Sequence, residues 1–231
     1  MVVGAGGLGG PIASSLAAAG VELTLVDHDR VELSNLHRQI QFTAADVGQP
    51  KALRLAGALV AAAGRARGIV TRWTAEVADD LGGESDLVID ASDDPATKFA
   101  VADWAVANGR AYVIAAALGY GGNIMAGAPG AACYRCLFEE PAEVLSCGEA
   151  GVLGPVVGAI GGLAAAVALG LLAHDRTLAG ALLVIDDLRR GGEPRVVRFA
   201  PRVGCVACAR APISPSISSQ AGREPARVAK G

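Results

Sequence analysis

Two sets of residues in this chain carry chemistry by type and spacing. One is the glycine run Gly4, Gly6, Gly7 and Gly9, which follows the apolar start Met1–Val3; the other is a pair of C-x-x-C knuckles, Cys133/Cys136 and Cys205/Cys208. A glycine-rich turn between a strand and a helix aims backbone N–H groups and the positive helix end at an anion, where side chains would obstruct the approach. The spacing Gly4, Gly6, Gly9 also fits the dinucleotide fingerprint, so the loop by itself accommodates a nicotinamide, a flavin or ATP. A ligand-free tight turn would use glycine too. Four thiolates from two distant segments are the ligand set of a closed, structural, tetrahedral zinc site; a redox dithiol is the rival for either knuckle taken alone.

Polar residues between these sets narrow the choice. Asp27 ends the second apolar run, about twenty positions past the glycine loop, where a ribose hydroxyl is held in dinucleotide and mononucleotide folds. A plain turn residue would also suit. The segment from His28 to Gln39 is dense in hydrogen-bonding groups and leads to Gln49-Pro50-Lys51. Pro50 suits a first helical turn, and Lys51 would then sit where the helix dipole disfavours a cation unless an anion balances it. Singly, Arg38 and Lys51 read as solvated charges. Beside a phosphate loop they form a triphosphate clamp. Asp94 before Pro95 reads as a helix N-cap, and Asp93 sits at the carboxyl end of a strand, a position suited to holding magnesium.

The elements that must position these groups alternate. Strands are expected at Met1–Val3, Val21–Val26, Ile69–Val77, Asp86–Asp90, Tyr112–Ala117, Gly122–Ala128, Ala181–Asp186 and Arg195–Phe199. Helices are expected over Pro11–Ala19, from Pro50 to residue 63, and from Pro95 through Asn108. That order predicts an α/β fold: a doubly wound, mainly parallel Rossmann-like sheet with helices on both faces. With 231 residues and 52% hydrophobic content, one domain over 1–211 is expected, followed by a disordered tail rich in Ser, Pro, Gly and Arg at 212–231. Net charge is −3, which indicates neither a nucleic-acid surface nor a basic membrane patch. No secretory leader pattern precedes the first strand, so a cytoplasmic protein with reduced thiols is expected. Residues 152–173 are apolar and uncharged, but Pro155, several glycines and the absence of a basic flank favour a buried helix over a membrane span.

The motifs GAGGLG at 4–9, VDHDRVELSNLHRQ at 26–39, GQPKA at 48–52, the acidic turn Asp90–Asp94 and both cysteine pairs occur in consistent order over residues 1–208. In this the chain resembles the family of molybdopterin-synthase adenylyltransferase, thiazole-synthesis adenylyltransferase and ubiquitin-activating enzymes (HesA/MoeB/ThiF). The resemblance implies ATP with its ribose on Asp27, its phosphates against Asn35, Arg38 and Lys51, and magnesium near Asp93. It implies adenylation of the C-terminal glycine of a small ubiquitin-like sulfur carrier protein in molybdopterin or thiamine (thiazole) sulfur transfer. It further implies a homodimer built partly on residues 152–173, and a sulfurtransferase or other sulfur donor as a later partner.

Cys147 matches a loop cysteine that, in sulfur-transfer members, links covalently to the activated carrier. Molybdopterin-type members resemble this loop equally well without depending on the thiol, so an unreactive Cys147 stands beside a catalytic one. Two departures are visible. The family has Asn where this chain has Asp94, which adds negative charge beside the phosphates. The family's N-terminal helical segment, with an arginine for the nucleotide pocket, has no counterpart before Met1, and an upstream start is the expectation. An NAD-dependent oxidoreductase and an inactive scaffold of the same family are the alternatives.

Overall fold

The computed structural model describes residues 1–141, 151–191 and 193–209. Cys147 and the tail 212–231 lie outside the described residues. The apolar start forms β1 (Val2–Val3), which is short but central: it runs parallel to β2 (Leu23–Val26) on one side and to β4 (Leu87–Asp90) on the other. Strand β3 (Ala66–Ile69) flanks β2, and β5 (Ala111–Leu118) flanks β4, both parallel. The sheet then continues antiparallel through β6 (Gly121–Gly127), β7 (Ala181–Ile185) and β8 (Arg195–Arg198), giving the order β3-β2-β1-β4-β5-β6-β7-β8. The parallel half is the doubly wound sheet expected from the sequence.

Period-2 alternation along the strands feeds two cores. Val2, Leu25, Ile89, Val113 and Ile124 face one core, with α1 (Gly9–Ala18), α2 (Lys51–Ala61) and α6 (Gly154–Leu172). Val3, Val26, Val88, Ile114 and Met125 face the other, with α3 (Ala78–Gly82) and α4 (Pro95–Ala107). The short helix α5 (Tyr134–Leu137) follows β6.

Two sequence expectations need correction. The strand expected at Ile69–Val77 lies earlier, at Ala66–Ile69, where Gly68 lets β3 pack against α2: a Cβ there would come within 2.4 Å of the Ala52 carbonyl oxygen. After Ile69 the chain leaves the sheet. Helix α6 is buried on one face only; Pro155, Ala159, Gly162 and Ala166 form an exposed, uncharged stripe along it. It is also the one described helix long and apolar enough to cross a membrane, with half of its apolar window buried within the protein.

Candidate functional site

The order of strands reverses at β1, so the carboxyl ends of β1 and β4 open a crevice at the switch point, where such sheets receive ligands. The glycine loop leaves β1 there. Gly4 has φ +92° and lies so close to the loop after β4 that a Cβ would be 2.9 Å from the Ala91 carbonyl carbon. A Cβ on Gly9 would be 1.9 Å from the Gly4 carbonyl oxygen, so this βα turn closes only with glycine. No side chain caps α1, and its first turn holds no acidic residue, leaving an end suited to an anion.

Asp27 and Gln41 brace the loop. Asp27 accepts a hydrogen bond from Ala5 N–H at 2.6 Å and a second from Asp29 N–H at 2.7 Å. Burial pushes its carboxyl above the ordinary carboxylate range, against the pull of those two donors. Gln41 Nε2 donates to the carbonyls of Ala5 and Gly6 at 3.0 and 2.9 Å. The bracing by Gln41 spans 35 residues of chain and leaves no local sequence signal.

The two cations are held by their neighbours. Lys51, 5% exposed at the start of α2, donates to Asp29 Oδ2 at 2.9 Å. Asp29 is therefore the balancing anion that the helix-start position demanded, and its own backbone carbonyl accepts from Lys51 N–H at 2.9 Å. Burial works against the ionised Asp29, but the Lys51 ammonium outweighs it and holds the carboxyl below the usual range. Arg38 Nη2 donates to Asn35 Oδ1 at 2.7 Å, and Asn35 Nδ2 reaches Glu32 at 3.3 Å.

The acidic turn after β4 divides its labour. Asp94 caps α4, accepting from Ala96 N–H and Thr97 N–H at 3.2 Å and from the Thr97 hydroxyl at 2.7 Å. The carboxylate that departs from the family pattern is thus turned onto the helix end. Asp93 stays exposed on the cavity wall. Beneath the turn, Lys98 Nζ donates to Asp90 Oδ2 at 2.6 Å, Ser92 O at 2.7 Å and Ala115 O at 2.8 Å, using all three of its donors. Burial drives the Asp90 carboxyl upward, opposed by Lys98. Asp90 opens the acidic turn read from the sequence, but its pairing with Lys98 was not evident there.

One cavity of about 590 Å³ gathers these groups. Gly4, Gly6, Gly7, Asp27, Asn35, Arg38, Lys51 and Asp93 all line it. Gly9 sits behind the wall as a packing glycine. A further wall, missed by the sequence reading, is aromatic: Phe99, Tyr134 and Phe138, with ring centroids 4.9 Å apart in successive pairs.

Tyr134 lies inside the first cysteine knuckle, so that wall borders the second candidate site. The Sγ atoms of Cys133 and Cys136 are 3.7 Å apart, Cys133 and Cys205 3.6 Å, and Cys136 and Cys208 3.5 Å. A tetrahedron of thiolates 2.3 Å from zinc has edges of about 3.8 Å, so the cluster fits such an ion. Arg202 N–H points at Cys136 Sγ at 3.3 Å, a donor suited to a bound thiolate. Arg135 holds Asp103 of α4 through paired hydrogen bonds of 2.8–2.9 Å, tying the knuckle to the cavity's helix.

Comparisons with known proteins agree with this geometry. The ThiF family profile matches residues 1–206. The chain is 42% identical over 226 residues to the sulfur carrier protein adenylyltransferase of Thermus thermophilus, covering 92% of this chain and 82% of that protein. It is 37% identical over 214 residues to the Escherichia coli sulfur carrier protein ThiS adenylyltransferase, covering 90% and 84%. Against the adenylyltransferase and sulfurtransferase MOCS3 of Dictyostelium discoideum, 37% identical over 222 residues, it spans 52% of that longer protein. A crystal structure of E. coli MccB with AMPCPP and MccA shares the fold at TM-score 0.77 and 20% identity, covering 90% of this chain and 66% of that one. With the glycine loop, the switch-point cavity and the first cysteine knuckle all inside the matched residues, the chain belongs to the ThiF family.

Proposed function

We propose that this chain uses ATP to adenylate the C-terminal glycine carboxylate of a small ubiquitin-like sulfur carrier protein, in molybdopterin or thiazole sulfur transfer. The observation that carries the reading is the meeting, in one cavity, of a glycine loop with Arg38, Lys51 and Asp93. A dinucleotide does not require those two cations, whereas a triphosphate attacked by an anion does. The names of the relatives point the same way.

In this reading Asp27 receives the ribose, and the glycine loop with Asn35, Arg38 and Lys51 receives the phosphates. A carboxylate oxygen of the carrier attacks the α-phosphorus, the bond to the bridging oxygen of the β-phosphate breaks, and pyrophosphate leaves with its electron pair. The nucleophile is already ionised, so no general base is needed. What the chain supplies is neutralisation: Arg38 and Lys51 offset the repulsion between two anions. Magnesium, held by Asp93, would supply further charge to the phosphates. The resulting acyl-adenylate is open to a sulfur nucleophile that displaces AMP, either from a sulfurtransferase or from Cys147.

Zinc in the four-cysteine cluster would be structural, since all four positions of the tetrahedron are protein thiolates. The exposed stripe of α6 suits close packing against a second copy, supporting a homodimer. Residues 1–211 would act as one unit in a cytoplasmic enzyme, where thiols stay reduced. Carrier-dependent exchange of labelled pyrophosphate into ATP tests the proposal: exchange with a glycine-ended carrier supports it, and its absence with every such carrier overturns it.

A further inference from the structure

We propose that Arg72 is an additional nucleotide-binding residue, closing the nucleobase side of the cavity. The inference rests on the cavity being the ATP site. Its starting point is the segment that leaves the sheet after β3: Thr71, Arg72 and Trp73 all line the cavity instead of extending the strand. Trp73 anchors the segment, 3% exposed and edge-on to Trp104 of α4 at 5.5 Å between centroids. Arg72 itself is exposed. Its Nη2 donates to His28 Nε2 at 2.8 Å, and His28 directly follows Asp27. That bond ties the guanidinium to the residue after the end of β2. Its charge reaches both walls, contributing to the lowered pKa of Asp29 on one side and Asp94 on the other.

Chain order gives this location its meaning. The glycine loop, Arg38 and Lys51 define the phosphate end of the cavity, Asp27 the ribose, and the groups beyond Asp27 on the β3 side must meet the base. A guanidinium carries five donors in a plane, of which the bond to His28 uses one; its face stacks on a purine and its edge donates to ring nitrogens or ribose oxygens. As an exposed residue, Arg72 has little structural work that its loss would disturb. It also brings positive charge beside Asp94, the carboxylate by which this chain departs from the family pattern.

Isothermal titration of the full chain with ATP and with AMP tests the assignment. Arg72→Met should weaken both ligands equally, by about tenfold, with the circular dichroism spectrum and melting temperature unchanged. Arg72→Lys should recover only part of the loss, because the charge returns without the plane. Lys51→Ala should weaken ATP far more than AMP, separating the two ends. Unchanged AMP affinity in Arg72→Met, whether or not ATP binding falls, overturns the assignment, since a contact made only with the outer phosphates is not a nucleobase contact. A wild-type chain that binds neither ligand overturns the ATP reading itself and this inference with it.

Discussion

The cavity and the cysteine cluster are built by opposite strategies. The cavity belongs to the parallel half of the sheet and is assembled from loops held by directional polar contacts: Asp27 on Ala5, Gln41 on two loop carbonyls, Asp29 on Lys51, Lys98 under the acidic turn. Each such bond contributes about 1 kcal/mol, more where a charge takes part. The cluster belongs to the antiparallel half and brings together four thiols from segments 72 residues apart, which a metal would hold far more strongly than their own contacts do. One region is therefore tuned to receive charge and the other to fasten the chain. They meet at Tyr134, which lies between two of the cysteines and forms cavity wall.

If that division is right, substitutions on the two sides should separate in what they change. The largest effect is expected from Lys51→Ala, which should lower carrier-dependent pyrophosphate exchange by about 10²–10³-fold while thermal melting barely moves. Cys205→Ser should act chiefly on stability. It should release bound zinc, measured by elemental analysis, and lower the melting temperature by about 10 °C, the shift that a few kcal/mol gives in a chain of this size. Because Tyr134 is shared, ATP affinity should also fall severalfold in that variant; unchanged affinity would show the two regions to be independent.

Lys98→Met tests the support beneath the acidic turn. It strands Asp90, which is fully buried, and should cost about 3–5 kcal/mol in denaturant unfolding. Pairing it with Asp90→Leu should restore most of the loss, since both charges then disappear together. The smallest effect concerns the Asp94 cap. Burial opposes the ionised form, but the Thr97 hydroxyl and two backbone donors prevail and hold its carboxyl below the ordinary value. A depressed folded pKa means the contribution is present above the unfolded Asp value of about 3.9 and is lost as pH falls through the lower, folded value. Asp94→Ala should cost about 1 kcal/mol at neutral pH, whereas Asp94→Asn should keep the cap and flatten that part of the acid limb in thermal melts.

The residues that were legible in the sequence are those whose role is local. Gly9 serves a turn closed within its own loop, Asp94 caps a helix starting one residue later, and the C-x-x-C spacing is itself a half-site. What was not legible depends on contacts across the sheet. Gln41 reaches back to the glycine loop, and Lys98 reaches Ala115 on a neighbouring strand. The misplaced third strand has the same origin: Ala66-Arg67-Gly68-Ile69 has a weak strand pattern and is selected by its closeness to α2. With β3 ending at Ile69, Arg72 and Trp73 fall outside the sheet and on the cavity rim.

The most direct measurement of the central claim is the intact mass of a glycine-ended carrier protein after incubation with the chain, ATP, magnesium and pyrophosphatase. The account predicts addition of one adenylyl group at the carrier's C-terminus, absent without ATP and absent with Lys51→Ala. A chain that binds ATP yet leaves every such carrier unmodified would contradict it.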